Sequence, residues 1–585
     1  MKCFLQVLKI NKERFPFGEN VTIPTTKTLE HYQETYLYTV RREYMNTFDA
    51  LQKELFEACL EKHPQEASYI GYTHHDAEMP SGKLNVYKKE IEQNKYFLKQ
   101  FQDLDEQLDF DQKITRKLAI HKLKIWIFVD ETLEYYLKNP SVANEVSIAL
   151  HSLLQRKGAD RFYPLLARLE KTPQYITDFK TRVLNPTKLW TEMAREGTEG
   201  LIQFLPNIVE AAKREIPSED AEEIENNVRK VEDSLKDYIQ FLYKILPQAV
   251  TPWPMGREHY EQLLQLRELP YTGDEILALG WKWLKEEKER LKNLAELVAP
   301  EKSVKEVTGT IKEMHPPTFE GVLQLNREYM QKARQFVIDN DVVTLPEGEQ
   351  MLIDVTPEYI RHWLPLGAYF SPPVAGPDRI GYFRLTPPHD PSVLREHNEP
   401  SIANAAVHEG YPGHHVQLWC STTHPHKLRW FSSSEFIDAK MVSEGTEMVE
   451  GWAVYCEELM MEKGFNTTKE YLFAQSRFIL WRAVRIILDV QLSRGDMTFD
   501  EAVAFMEDMG MEHAAAVGEV RWYTLRPSYP LSYLLGKHML KDLKKRIQEM
   551  MGTQYTDKFF HDTLLYEGTM PLSFFEEIFR HKIKK

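Results

Sequence analysis

Apolar and aromatic residues recur every three or four positions through most of this chain, and that spacing constrains its fold more than any other feature. Between Leu29 and Lys62 the repeat is carried by Tyr32, Tyr36, Val40, Tyr44, Phe48, Leu51 and Leu55. The same texture continues through 84–104, 114–137, 141–156, 186–215 and 219–246. Residues at this spacing share one face of an α-helix. We therefore predict a mostly α-helical protein whose N-terminal aromatic residues form the core of a helix bundle.

Length and one break in composition predict two lobes. A chain of 585 residues exceeds what a single hydrophobic core usually supports. The segment Gln248–Arg257 contains two prolines and a glycine, which favour a junction between lobes. We predict an N-terminal helical lobe over residues 1–250 and a C-terminal catalytic lobe over 251–585.

Charge and cysteine content restrict the partners and the compartment. The net charge of −15, from 73 basic and 88 acidic residues, argues against nucleic acid or an anionic membrane as the main partner. No run approaches the roughly 20 apolar residues of a membrane span, and no signal peptide is recognised at the N-terminus. The cysteines form no close pair, which fits a reducing compartment. We therefore predict a cytoplasmic protein, either a monomer or a homodimer.

The stretch 408–417 reads His-Glu-Gly-Tyr-Pro-Gly-His-His-Val-Gln and brings three imidazoles and a carboxylate together. Imidazole nitrogen is a good zinc ligand, and a neighbouring glutamate can take a proton from a zinc-bound water. In the ordinary zincin motif, His-Glu-x-x-His, the histidines lie one helical turn apart. Here Pro412 occupies the position of the second histidine, so we predict a kinked or bulged turn. That turn could return His414 or His415 toward His408.

A third protein ligand is expected on the following helix, predicted at about Asp438–Gly464. Glu450 lies in the middle of this helix, beside Gly451, which allows another element to approach closely. Glu457 lies two turns further on the same face. It either accepts the second N–H of a ligating imidazole or is exposed. The other acidic residues of the segment are predicted to be solvated: Glu444, Glu447, Glu458 and Glu462.

Two short β-strands are predicted just before the histidine-rich stretch. Met351–Thr356 and Gly381–Thr386 have the composition of strands, and a loop rich in proline and glycine, Tyr369–Asp378, separates them. In a zincin, an edge strand beside the active-site helix holds an extended peptide through main-chain hydrogen bonds. We assign that role to Gly381–Thr386.

Two motifs together carry a family resemblance. His-Glu-Gly-x-Pro-Gly-His-His-x-Gln at 408–417, followed by Glu-Gly-Trp-Ala-x-Tyr-x-Glu at 450–457, resembles the bacterial family catalogued as domain of unknown function 885. That family is similar in plan to the glutamate zincins, which include thermostable helical carboxypeptidases and thimet-type oligopeptidases. Weaker matches extend over most of the chain. One departure lies at Asp489, where relatives tend to have Asp-Thr-Gly-x-His and this chain has Asp489-Val-Gln-Leu-Ser493.

The resemblance implies a large helical metallopeptidase-like body with a deep channel, a few short strands next to the active-site helix, and one zinc ion per chain. His408 and Glu450 are implied as zinc ligands. The second histidine stays open from the residues alone. Helical phase favours His415, whereas the match to the Gly-His of related zincins favours His414, which we predict as the ligand.

The resemblance also implies two catalytic residues. Glu409 is the general base, which takes a proton from the attacking water and hands it to the leaving amine. Tyr533 resembles the downstream tyrosine that donates to the tetrahedral oxyanion in helical metallopeptidases. The alternative for Tyr533 is a core aromatic residue on an apolar helix.

These roles predict a zinc-dependent peptidase that hydrolyses short peptides, since a helix-walled channel excludes folded proteins. Arg521 and Arg526 are predicted to bind a substrate carboxylate through a bidentate fork, which favours carboxypeptidase-like release of residues. The alternative for each arginine is a structural pair with an acid such as Glu512 or Glu519. Two other functions stay open: a metal-dependent amide hydrolase of a small metabolite, and a non-catalytic pseudopeptidase that only binds peptides.

Overall fold

The computed structural model describes residues 47–104, 107–357, 361, 366–376, 379–388, 390–430 and 445–584. Within these ranges the protein is mostly α-helical, with three short strands in one sheet, which confirms the predicted fold class. The helices are α1 Phe48–Lys62, α2 Pro64–Tyr69, α3 Leu84–Asp103, α4 Phe110–Phe128, α5 Tyr135–Lys138, α6 Val142–Leu154, α7 Phe162–Lys180, α8 Lys188–Glu215, α9 Ser218–Ile245, α10 Arg257–Leu266, α11 Gly273–Val298, α12 Val304–Lys312, α13 Phe319–Asp339, α14 Glu399–Ala405, α15 His414–Ser421, α16 Thr446–Glu462, α17 Lys469–Arg494, α18 Phe499–Asp508, α19 His513–Leu525, α20 Ser532–Met551, α21 Asp557–Tyr566 and α22 Phe575–Ile583.

The helix boundaries follow local sequence signals. Thr272, Ser303 and Thr498 each accept a hydrogen bond from the backbone N–H three residues on, and the glutamate at that position bonds back. This reciprocal cap satisfies N–H groups that have no partner within the helix. The predicted helix that begins at Leu29 is described only from Phe48 onward. Its earlier part lies outside the described residues.

Buried side chains form one large core in the second half of the chain and smaller cores among the N-terminal helices. The large core draws mainly on helices after α9 and also includes Ile114 and Leu118 of α4. A second core lies among α6, α7, α8 and α9. N-terminal aromatic residues such as Trp190 and Tyr238 are buried, as the bundle interpretation requires. The predicted lobe boundary near residue 250 stays a prediction.

The sheet contains β1 (Met351–Val355), β2 (Gly367–Phe370) and β3 (Gly381–Leu385) in the order β1-β3-β2. β3 pairs in parallel with β1 and antiparallel with β2. The two predicted strands are confirmed, but the prediction that Gly381–Thr386 is an edge strand is wrong. The loop predicted at Tyr369–Asp378 is also wrong at its first two residues, because Tyr369 and Phe370 belong to the four-residue strand β2. β2 pairs with the side of β3 opposite β1. Both sides of the β3 main chain are therefore hydrogen-bonded to neighbouring strands.

Helices α16 and α20 pack backbone to backbone. A Cβ atom added to Gly451 would lie 2.5 Å from the carbonyl carbon of Gly536, and one added to Gly536 would overlap the carbonyl oxygen of Glu447. Side chains at these positions would push the helices apart, since a backbone cannot move aside as a flexible side chain can. The crossing brings Glu450 of α16 close to the first turn of α20, which carries Tyr533.

Candidate metal centre

The helix is interrupted by an irregular turn between the first two histidines of the motif. Asn398 caps α14 by accepting from the N–H of Ser401, and the helix then widens into a π-helical turn at Ala406–Gly410. The next helix, α15, begins at His414. Gly413 N–H donates to Val407 O at 3.0 Å, and a Cβ on Gly413 would overlap the carbonyl of His408. The predicted irregular turn is therefore present, and glycine is required where the chain folds back.

His408, His414 and Glu450 converge after this turn. Their donor atoms lie within 4.8 Å of one another. Glu450 Oε2 is 3.7 Å from His408 Nε2 and 3.5 Å from His414 Nε2. Donors around a tetrahedral zinc ion are roughly 3.3 Å apart when each bond is roughly 2.0–2.1 Å. Glu450 Oε2 thus lies close to that spacing from both imidazole nitrogens, and the three predicted ligands are brought together in one cluster.

Glu450 shows most clearly that a cation fits this centre. The residue is buried, and its Oε2 has no hydrogen-bond partner among the described residues. Its other oxygen, Oε1, accepts from the Tyr529 hydroxyl at 2.6 Å. A buried carboxylate oxygen without a partner is unfavourable, and a metal ion held by two imidazoles and this oxygen would satisfy it. The donor chemistry therefore fits zinc.

A buried chain of contacts orients His408. Its Nδ1 lies 2.7 Å from Glu457 Oε1, and Arg482 donates to both oxygens of Glu457 at 2.6 and 2.7 Å. Burial raises the pKa of Glu457, but the Arg482 charge and the His408 hydrogen bond outweigh it and lower the pKa to about 2. An ionised Glu457 accepts a hydrogen bond from the Nδ1–H of His408, which leaves Nε2 of His408 directed at Glu450. The structure thus places Glu457 where an orienting role requires it.

The local carboxylates make the centre attractive to positive charge. Burial lowers the pKa of His408, but Glu450, Glu457 and Glu409 together raise it to about 9. Glu409, the residue next to His408, is partly exposed, and its charge is one of those that act on His408.

Two tyrosines from one segment flank Glu450. Tyr529 binds Oε1, as described above, and the rings of Tyr529 and Tyr533 lie 6.0 Å apart. Burial raises the pKa of the Tyr533 hydroxyl, and the nearby Glu450 carboxylate raises it further, so Tyr533 stays a proton donor. Sequence reasoning missed Tyr529. Its position four residues before Tyr533, in the turn that precedes α20, was the available signal.

Buried Asp489 holds the segment that carries these tyrosines. It accepts from the backbone N–H groups of Ser528 at 2.8 Å and Leu531 at 3.1 Å. Ser493, which stands where relatives tend to have histidine, donates to the same carboxylate at 3.2 Å. The departure from the family pattern therefore lies beside the support of the tyrosine segment.

His415 lies away from the cluster, although it adjoins His414 in sequence. Its Nε2 is 2.9 Å from Glu349 Oε2 and its Nδ1 is 3.0 Å from the Tyr369 hydroxyl. Both ring nitrogens are therefore engaged elsewhere. Glu349 also accepts from Tyr411 at 2.6 Å and Arg334 at 2.8 Å. This network, which sequence reasoning missed, fastens α15 to the sheet.

The two arginines predicted to bind substrate have different surroundings. Arg521 donates to both oxygens of Glu196 in α8, at 2.7 and 3.2 Å, so its fork is already occupied by a structural partner. That partner is neither of the acids considered from sequence. Arg526 lies at the end of α19, where its N–H donates to Tyr523 O. Its contact with a substrate stays a prediction.

The other acids of α16 divide into three groups. Glu462 is exposed, as predicted. The prediction is wrong for Glu447, which is buried and pairs with Arg267 at 2.5 Å. Glu458 is partly buried and pairs with Lys537 and Lys541. The crossing with α20 accounts for both, because it covers this face of α16. Glu444 lies outside the described residues.

Metal content separates His414 from His415 experimentally. We expect His414→Ala to lose bound metal, because it removes one of the three converging donors. His415→Ala should keep most of the metal and lose thermal stability, since it leaves Glu349 buried with one partner fewer. Metal analysis of both purified variants decides between them, and the reverse pattern would assign the ligand to His415.

Comparisons with known proteins extend over most of the chain. The family described as "Bacterial protein of unknown function (DUF885)" matches residues 64–578. No curated protein matches the sequence. A "putative lipoprotein of unknown function" from Shewanella oneidensis has a similar fold, with a TM-score of 0.74 and 20% identity over 92% of this chain and 100% of its own. A "putative lipoprotein" from Colwellia psychrerythraea has a TM-score of 0.78 and 16% identity over 92% of this chain and 98% of its own. At these identities the likeness shows the fold alone.

The membrane prediction can be checked in the part of the chain that the structure covers. No helix there is long and apolar enough to cross a bilayer. The predicted cytoplasmic location stays a prediction.

Proposed function

Because this chain belongs to the DUF885 family of bacterial proteins of unknown function, its activity has to be argued from its own site, and we propose that it is a zinc-dependent peptidase acting on short peptides. The observation that carries the proposal is the convergence of His408, His414 and Glu450 around an unpaired buried carboxylate oxygen. Glu409, a candidate base, adjoins the cluster. Three such ligands with a nearby glutamate are the requirements of metal-assisted amide hydrolysis.

The roles of the protein groups follow from their positions. His408, His414 and Glu450 would hold the zinc ion, which when bound supplies Lewis-acid chemistry at the scissile carbonyl. The carboxylate of Glu409 accepts a proton from the attacking water and then delivers this proton to the leaving amine. The Tyr533 hydroxyl donates to the carbonyl oxygen as negative charge develops there.

The surrounding residues keep these groups in place. Arg482 and Glu457 fix the ring of His408, and Tyr529 fixes the orientation of Glu450 through Oε1. Such supports hold ligands within the narrow geometric limits that catalysis requires. Glu457, Arg482 and Tyr529 come from α16, α17 and the segment before α20, so the site depends on how these three parts of the chain pack together.

A mixed peptide pool tests the proposed function. We expect the purified protein to carry about one zinc ion per chain and to shorten peptides in the pool, as mass spectrometry of the products would show. Treatment with a strong chelator should abolish the cleavage, and added zinc should restore it. Cleavage that persists in chelator-treated, metal-free protein would exclude the proposed mechanism. An intact pool combined with hydrolysis of small amides would favour an amide hydrolase instead.

A further inference from the structure

A cavity of about 410 Å³ between α4 and the end of α10 has a strongly basic lining. Lys113, Arg116, Lys117 and Lys124 line it from α4, and the one carboxylate among the described lining residues is that of Glu268. This lining contrasts with the net charge of −15 of the whole chain. None of the lining residues belongs to the candidate metal centre. The cavity is therefore a separate place at which positive charge is concentrated.

The sequence of α4 places these cations along one face of the helix. The helix contains five basic residues, lysine or arginine, against one acid, Asp111. Lys113, Lys117 and Lys124 follow one another at intervals of four and seven residues, which places them on the same side. From Lys113 to Lys124 the stripe extends roughly 16 Å along the helix axis. It is therefore much longer than a single small anion.

Most of this charge is available to a ligand. Lys113 and Lys124 are exposed, and neither forms an ion pair within the part of the chain that the structure describes. Lys117 Nζ lies 3.9 Å from a carboxylate oxygen of Glu577, which is a long contact for an ion pair. Arg116 donates to backbone carbonyl oxygens at the end of α3, which are uncharged. The stripe thus keeps an excess of positive charge at the cavity.

His121 distinguishes this cavity from an ordinary solvated row of lysines. It lines the cavity and is 5% exposed, and its Nε2 has no hydrogen-bond partner among the described residues. Buried polar atoms are nearly always hydrogen-bonded in proteins. Burial, and next the charges of Lys122, Arg267, Lys117 and Lys124, lower the pKa of His121 to about 3, so the ring is neutral. A neutral imidazole can donate one N–H, and a ligand oxygen at His121 would accept it.

The end of α10 gives the cavity a wall of defined shape. Gln265, Leu266 and Glu268 line this side. Glu268 has a φ of +57°, which is uncommon for a residue other than glycine. Its N–H donates to Gln265 O at 3.0 Å, and its carboxylate accepts from the Ser573 hydroxyl at 2.5 Å. These contacts hold the turn in place and give the Glu268 carboxylate a partner of its own.

We propose that this cavity binds a small molecule that carries two or more linked phosphate groups. Lysine side chains bind phosphate as point charges, and the cavity volume lies within the range of about 300–1,000 Å³ that is usual for ligand sites. A single phosphate covers only a fraction of the stripe, whereas linked phosphates extend along it. The His121 N–H would bind an oxygen of the same ligand. The inference does not depend on the proposed peptidase activity.

Calorimetric titration of the purified full-length protein with inorganic triphosphate tests the site. At low ionic strength we expect one triphosphate to bind per chain, and added salt should weaken the binding, because the lysines are exposed to solvent. Orthophosphate should bind roughly tenfold more weakly, since it reaches fewer of the cations. Citrate, whose charges are carried by carboxylates, should also bind more weakly, because it offers fewer acceptor oxygens than linked phosphates do.

A pair of lysine variants locates the binding. Lys117→Met combined with Lys124→Met should weaken triphosphate binding by roughly tenfold or more, because both charges act on the same ligand. The matched control is Lys285→Met combined with Lys292→Met. It removes two exposed lysines with the same seven-residue spacing from α11, and it should leave the affinity unchanged.

His121→Leu tests the contribution of the buried nitrogen. The variant should keep the melting temperature of the parent, because it removes a buried polar atom that lacks a partner. It should weaken triphosphate binding by roughly tenfold, the effect of losing one hydrogen bond to a charged group. Unchanged triphosphate binding by this variant would overturn the placement of the ligand at His121.

Several outcomes would overturn the inference as a whole. They are the absence of triphosphate binding, equal binding of orthophosphate or citrate, and binding that persists when Lys117 and Lys124 are both replaced. Persistent binding would place the triphosphate elsewhere, such as at the metal centre. Adenosine triphosphate identifies the source of the phosphates. Tighter binding than inorganic triphosphate would assign the site to a nucleotide, and equal or weaker binding would assign it to an inorganic phosphate chain. Either result supports the proposed ligand chemistry.

Discussion

Replacing Glu409 by glutamine should leave the metal in place and lower the rate of peptide hydrolysis by roughly 10²–10⁴-fold or more. The reason is that glutamine keeps the size and hydrogen bonding of glutamate but cannot accept the proton. Glu409 is not one of the three converging donors, His408, His414 and Glu450, so its replacement removes no predicted ligand. The measurements are zinc content and kcat/KM on the same preparation.

Two control variants distinguish the loss of the base from loss of the metal and from the chemical change itself. Glu462→Gln makes the same chemical change on the exposed end of α16 and should leave both zinc content and rate near those of the parent. Glu450→Ala should lose the metal together with activity, because it removes a donor. A Glu409→Gln protein that hydrolyses peptides at the parental rate would show that another group accepts the proton, and the zincin-like mechanism would then be wrong.

The second large effect is expected at the crossing of α16 and α20. Gly451→Ala and Gly536→Ala should each lower the free energy of unfolding by roughly 1–3 kcal/mol or more. The added methyl group would meet the backbone of the facing helix, which cannot rotate away. Because the crossing sets the position of Glu450 against Tyr533, both variants should also lose activity. The measurements are the urea midpoint and kcat.

Gly518→Ala provides the control for this pair. Gly518 lies within α19, and no described atom beyond its own stretch of helix lies within 4 Å of the position that its Cβ would take. Alanine is the better helix former by about 1 kcal/mol, so this variant should be slightly more stable than the parent. An equal loss of stability in all three variants would mean that glycine is required for backbone conformation, and the close helix contact would not explain the effect.

Sequence reasoning succeeded where the chemistry depends on residue type and short spacing. Metal ligation requires imidazole and carboxylate groups, so His408, Glu450 and the pair His414 and His415 could be selected before their positions were known. The helices predicted over 186–215 and 219–246 agree with α8 (Lys188–Glu215) and α9 (Ser218–Ile245) to within two residues, because the spacing of apolar residues is a local signal. The close approach at Gly451 was also expected, because glycine in the middle of a helix is otherwise unfavourable.

Sequence reasoning failed where a residue's role depends on a distant partner. Neither Arg482, which pairs with Glu457, nor Glu349, which binds His415, has a local signal for its role. The edge-strand error has the same origin. Whether β3 is central depends on β2, a strand too short and too close to prolines to be recognised.

The sequence by itself therefore determined the helical class, the family and the residue types that could hold a metal. The spacing of apolar residues and the donor chemistry of side chains can both be recognised from residues that are close together in the chain. Only the tertiary structure decided which histidine faces Glu450, because the turn after His408 sets the phase of α15. It also decided which arginines have a carboxylate partner among the described residues. Arg521 and Arg384 have the same side chain, but packing gives Glu196 to the first and two aromatic rings to the second. Such assignments depend on residues far apart in the chain, and folding alone brings them together.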